Sequence, residues 1–99
     1  MSNVVMFVSF NLVEGAATED FLVAAEKAHK EFISKQKGYI SWQQAIEGDK
    51  WVDLITWETI DDANNSMEAS YANPVAREFF SFINPRTIET HIFTVMKNY

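Results

Sequence analysis

The sequence predicts an α+β fold of the ferredoxin-like kind: a split β-α-β-β-α-β order, a four-stranded antiparallel sheet and helices on one face. Three observations predict it. Four segments carry the β-branched and aromatic content of strands, with little helical period: VVMFVSFNLV, YISWQQAIE, KWVDLITWE and TIETHIFTVMK. The intervals after the first and the third carry apolar residues at helical spacing. The second and third strands are joined by only Gly48-Asp49, which makes them a hairpin.

The first strand is expected over Val4 to Val13, apolar on both sides at its start and more polar at Ser9 and Asn11. Glu14 to Ala17 form a loop. Thr18 is the expected N-cap of the first helix, with Glu19 and Asp20 suited to the positive end of its dipole. The helix is expected to reach about Lys37, burying the stripe Phe21, Ala25, Ala28, Phe32, with Gly38 as its C′ residue. The second strand is Tyr39 to Glu47 and the third returns from Lys50. Asp61 and Asp62 open a second helix through Met67 and Tyr71, which Asn73-Pro74 interrupts, because proline lacks an amide donor. A fresh helical segment follows from Pro74 to Ile83. Asn84-Pro85 ends it, and the fourth strand runs from Thr87 to Lys97.

Ninety-nine residues make a single domain, residues 1–99, with no repeat or linker. Yet 47% of the residues are hydrophobic and 14% aromatic, more apolar material than one small core readily hides. The helices cover one face of the sheet, while the other also carries Val, Leu and aromatic residues. A second copy packed on that helix-free face, a homodimer, is the expected solution. The net charge of −6 disfavours nucleic acid and anionic membrane as partners. No cysteine is present, which excludes disulfides and thiol chemistry. The start Met1-Ser2-Asn3 has no basic n-region and no apolar run approaches the roughly 20 residues of a membrane span, so a cytoplasmic protein is expected.

Chemistry concentrates on the third strand. Trp51, Asp53, Ile55 and Trp57 share one side of it by parity. A carboxylate on a buried face is costly unless paired or hydrogen-bonded, so Asp53 is either a satisfied structural acid or a general base of raised pKa. Trp57 either fills the core or lines a cleft, where its indole stacks on a planar ligand. His91, mid-strand among apolar residues, is the other candidate proton carrier. With strand order 4-1-3-2, Asp53 and His91 stand two strand spacings apart, roughly 9–10 Å, if both lie on one face. Tyr71 and Phe79, either side of the helix break, are candidate ligand contacts. Trp51 and Trp42 are expected to cover edges. Glu58, Asp61 and Asp62 read as helix-start acids, and no metal site is expected. No nucleotide-binding glycine loop or nucleophile elbow is present.

The order of elements, Trp57 at the end of the third strand with an acidic helix start beyond it, Lys-Trp-Val-Asp-x-x-x-Trp at Lys50 to Trp57, Ile-Asn-Pro at Ile83 to Pro85, and His91 together resemble the antibiotic-biosynthesis-monooxygenase-like dimeric α+β barrels. The resemblance spans nearly the whole chain. It implies a homodimer, a small-molecule site between helices and sheet in each subunit, and an activity among those of the group. These are cofactor-free oxygenation of polycyclic phenols, quinol oxygenation and haem degradation, and many members have no known activity. Haem degraders of the group use an Asn on the first strand, a Trp on the third and a His on the second helix. Trp57 matches that Trp. Val8 stands at the Asn position, and Ser70 and Phe79 fall where the His is expected. The resemblance therefore implies, first, a cofactor-independent monooxygenase-like protein acting on a small aromatic or quinol-type molecule, with Asp53 or His91 as base and Trp57 stacking. A non-enzymatic ligand binder or structural dimer is the alternative, and haem degradation the weaker one.

Overall fold

The computed structural model describes residues 2–99. Its elements are β1 (Val4–Phe10), α1 (Thr18–Glu31), a 3-10 turn at Ile33–Lys35, β2 (Tyr39–Glu47), β3 (Lys50–Trp57), α2 (Ile60–Ser70), α3 (Pro74–Phe80), a 3-10 turn at Pro85–Thr87, and β4 (Glu89–Thr94). The sheet order is β2-β3-β1-β4 with every neighbour antiparallel, as the ferredoxin-like reading requires.

Several boundaries move from their expected places. β1 stops at Phe10 because Asn11 leaves the sheet to tie the corner after α3: its N–H donates to Thr87 Oγ1 (2.9 Å) and its carbonyl accepts from Asn84 N (2.9 Å). The same corner delays β4. Pro85 starts a 3-10 turn whose Arg86 N–H donates to Asn84 Oδ1 (3.1 Å). Thr18 is the first helical residue of α1 rather than its cap, and Ala17 takes the cap position with no side-chain bond. α1 ends at Glu31, well short of Lys37, because Phe32 leaves helical geometry at φ −132° and ψ −68°. α2 and α3 have side-chain caps. Thr59 Oγ1 accepts from Asp62 N (3.0 Å), and Asn73 Oδ1 accepts from Val75 N and Ala76 N (2.9 and 3.0 Å), with Pro74 in the first turn.

The register sorts side chains into two faces. Toward the helices, rows cross the sheet as Gln44–Asp53–Val8–Thr90 and Trp42–Ile55–Met6–Ile92. Away from them run Gln43–Leu54–Phe7–His91 and Ser41–Thr56–Val5–Phe93. The helix-side core has two parts. One joins Phe10, Phe21, Trp51, Phe79 and Ile83 beneath α1 and α3; the other joins Val4, Met6, Ile55, Trp57 and Ala63 beneath α2. Trp51 is therefore a core residue, 7% exposed and 5.0 Å from the Phe21 ring in a T-shaped contact, not an edge cover. Its inward side follows from the alternation along β3.

Gly38 joins the end of the 3-10 turn to β2 at φ +80°, and its carbonyl accepts from Glu58 N (2.8 Å). A Cβ at Gly38 would run into the Asp62 carboxylate. Gly48, at φ +62° in the hairpin turn, has open space around it. Both Gly→Ala changes force an unfavourable backbone, but only the first adds a clash. Chemical denaturation should show Gly38→Ala losing about 2 kcal/mol or more and Gly48→Ala about 1 kcal/mol. Equal losses would mean that the approach of Asp62 to Gly38 is not close in solution.

Candidate functional site

The helices do not close fully onto the sheet. Between them lies a cavity of about 610 Å³. Its floor is the helix-side sheet face: Met6, Val8 and Phe10 of β1, Trp42 of β2, Asp53, Ile55 and Trp57 of β3, and Thr90 of β4. Phe32 and Ile33 close the α1 end, Ser66, Met67 and Ser70 of α2 and Phe79 of α3 form the roof, and Tyr71, Phe80, Val13 and Ile88 stand at the opening. These last four are substantially exposed, Tyr71 by 65%, so the opening is rimmed with apolar surface. The volume lies within the usual range for small-molecule sites, and an apolar lining with few convergent polar groups is their usual character.

Short local rules bring these groups together. Alternation along β3 aims Asp53 and Trp57 inward two pleats apart, about 13 Å between their Cα atoms. The break at Asn73-Pro74 separates α2 from α3, and the lining draws on both sides of it, with Ser70 and Tyr71 from one and Ala76 and Phe79 from the other. Phe79, stacked on Phe21 at 5.2 Å and T-shaped to Trp42 at 5.6 Å, joins the cavity to the dry core.

Besides the hydroxyls of Ser66, Ser70, Tyr71, Ser81 and Thr90, three polar groups line the cavity. Asp53 is 4% exposed, and Gln44 Nε2 donates to its Oδ1 (3.0 Å). Burial raises its pKa from 3.8 to about 6, against the opposing pull of Gln44 and of the Trp42 indole. Trp42 Nε1 leans on that carboxylate without meeting the geometry of a hydrogen bond, and it has no other protein partner. Trp57 Nε1 is also buried with no protein partner. Leaving a buried donor unpaired costs about 1–3 kcal/mol, and both indoles belong to residues that line the cavity.

The sequence-derived candidates divide. Asp53, Trp57, Tyr71 and Phe79 all line the cavity. His91 does not: it pairs with Phe7 on the opposite face of the sheet, its ring 5.9 Å from that of Phe93 and stacked on it. The expected convergence of Asp53 and His91 on one ligand is thus corrected. Val8 lies directly between Asp53 and Thr90, so Thr90, one residue before His91, is the β4 residue on the cavity side. Asn11 is likewise occupied, with Nδ2 donating to Asp49 O (3.2 Å). Sequence reasoning missed Trp42, Ser66 and Met67 as lining. For Trp42 the signal existed: it shares parity with Gln44, the residue opposite Asp53.

A ferredoxin-like α+β domain with an apolar cavity between helices and sheet, one buried acid and two indoles without a full hydrogen bond is thus the class that fold and site define. No family model matches the sequence, and no curated protein matches it significantly. Solved structures do. SnoaB, a cofactor-independent oxygenase from Streptomyces nogalater, superposes with a TM-score of 0.75 at 17% identity over 99% of this chain and 97% of that one. A candidate antibiotic biosynthesis monooxygenase from Nitrosomonas europaea has a TM-score of 0.72 at 14% identity over 95% and 90%. Another, from Bordetella bronchiseptica, has a TM-score of 0.72 at 13% identity over 93% and 95%. The resemblance to antibiotic-biosynthesis-monooxygenase-like proteins therefore holds for the fold along nearly the whole chain. No helix among the described residues is long and apolar enough to cross a membrane.

The raised pKa of Asp53 has a consequence for stability. The folded chain holds this proton more tightly than the unfolded chain, so the stability of the neutral carboxyl is complete below pH 3.8 and is lost as pH rises through about 6. Asp53→Asn, which keeps an acceptor for Gln44 and removes the charge, should be more stable than the parent at pH 7.5 by up to about 3 kcal/mol. The gap should close near pH 4. Denaturant melts across that range measure it, and a gap that does not change with pH would place the titration of Asp53 elsewhere.

Proposed function

We propose that this chain is a cofactor-independent, monooxygenase-like protein acting on a small aromatic or quinol-type molecule held between helices and sheet. The observation that carries the reading is the pairing, on one face of β3, of a buried carboxyl titrating near pH 6 with an unpartnered indole N–H in a large apolar cavity. An acid of that pKa is ionised near neutral pH and still basic enough to take a phenolic proton. Trp57, about 13 Å further along the strand, donates to an oxygen at the far end of a planar ring system. The fold likeness to SnoaB supports the same class of chemistry.

The protein's part is desolvation, positioning and one base. Asp53 accepts the hydroxyl proton of the phenolic (enol) tautomer of an anthrone-type ring system, in which the ring carbon para to that hydroxyl carries one hydrogen. The resulting anion is electron-rich at that carbon and adds dioxygen there, giving a peroxide anion, to which Asp53 returns the proton. That carbon then loses its hydrogen as a proton while the O–O bond breaks, so the inner oxygen stays as a carbonyl and the outer one leaves as water. All electrons come from the substrate. The second reading, a ligand binder without turnover, is favoured by one observation: among the described lining residues Asp53 is the lone carboxylate and no histidine accompanies it. The same lining gives haem degradation no support.

The homodimer belongs to this reading. Val5, Phe7, Val52, Leu54 and Phe93 form an apolar surface on the helix-free face, with Phe93 55% exposed. Burial of about 800 Å² of such surface per subunit is the standard size of a stable interface. His91 lies in that surface and takes no part in the cavity chemistry.

Thermal melting, oxygen uptake and sedimentation test the proposal. A phenolic anthrone or a hydroquinone should raise the melting temperature and drive oxygen uptake. The uptake should fall at least 100-fold in Asp53→Asn, bind substrate about tenfold more weakly in Trp57→Phe, and remain unchanged per subunit in His91→Ala. No stabilisation by any phenol or quinol would remove the ligand reading altogether. In sedimentation, the parent should run as a dimer and Leu54→Glu as a monomer; a monomeric parent would remove the dimer.

A further inference from the structure

Asp53 meets the cavity on one side and the side chain of Gln44 on the other. Gln44 sits directly opposite Asp53 in the β2–β3 register, and no other side-chain hydrogen bond reaches the carboxylate among the described residues. Gln44 is half-buried and, with Leu22, Glu26, His29 and Trp42, lines a second, shallow cleft of about 260 Å³ outside the main cavity. β2 is an edge strand exposed along most of its length, and Gln44 is one of its few half-buried residues, the one that reaches inward to Asp53.

We infer that Gln44 is a positioning residue: it engages one oxygen of Asp53 from outside the cavity and so presents the other oxygen to whatever the cavity holds. The inference rests on the function proposed above for its catalytic consequence, but the pairing itself does not. The chemistry of the residue suits the task. A lysine or arginine here would pair with the carboxylate, hold it ionised and make it a poor base. An apolar residue would leave the anion with no full hydrogen bond. A neutral amide donates without charge and does not titrate, so it orients the carboxyl and moderates, without cancelling, the rise in proton affinity that burial causes. The titratable groups near the pair are Glu26 and His29, both on α1 and both on the cleft side; β1 and β4 contribute only Val8 and Thr90 to the row.

The test reads the pair directly. In the unaltered protein the Gln44 side-chain amide resonances should follow the Asp53 carboxyl carbon through one titration with a midpoint near 6. Gln44→Leu should move that midpoint upward, and Gln44→Lys downward, each by about one unit or more. A purely structural role would not give opposite signs. Oxygen uptake with a phenolic anthrone should follow the same midpoints, with the change in kcat rather than KM. If neither substitution moves the Asp53 midpoint while both variants keep the parent's circular dichroism spectrum, the inference fails. If the midpoints move as stated and uptake is indifferent to them, the pairing stands and Asp53 is not the base of the proposed reaction.

Discussion

The register of β3 is the constraint on which the rest depends. The strand is paired on both sides, with β1 and with β2, and its inward positions read Trp51, Asp53, Ile55 and Trp57. A slip of one residue would turn two buried tryptophans outward together, at several kcal/mol each. No comparable gain awaits on the other face, where Val52, Leu54 and Thr56 would move in. The two indoles therefore hold the register, and the carboxylate between them is carried inward by it. Asp53 is buried because its neighbours must be.

That origin explains the character of the site. The helix-side volume is divided between a dry aromatic cluster and a cavity, and the same side chains serve both. Phe79 stacks on Phe21 in the cluster and lines the cavity beside Trp42. Beneath α2, Ala63 packs into the core, while the small side chains of Ser66 and Ser70 face the cavity. Besides hydroxyls such as those of Ser66 and Ser70, the polar groups in this space are one acid with one neutral partner and two indole donors. In a well-packed structural core such groups would be costly; facing a cavity, they are available for recognition.

The opposite face follows another logic. Phe7, Leu54 and Phe93 lie on it with His91 and no helix above them. The alternation that places Asp53 in the cavity places His91 here, so the two titratable groups most noticeable in the sequence are separated by the thickness of the sheet. Elements near each other in strand order need not share a face, and here one residue of register decides it.

Element types, their order and the inward parity of β3 were legible in the sequence, because each depends on a periodicity or a cap within a few residues: the alternation from Trp51 to Trp57, proline after Asn73, glycine before Tyr39. Trp57, Tyr71 and Phe79 were legible as cavity residues on the same grounds, joined to the family resemblance. What needed the tertiary structure was everything set by contacts distant in the chain. The early end of β1 depends on Asn11 meeting Thr87 and Asn84. The cavity-side place of Trp42, the amide partner of Asp53 and the exclusion of His91 depend on three strand registers at once. Local sequence determines which way a side chain points relative to its neighbours on the same strand; only the pairing between strands determines what it points at.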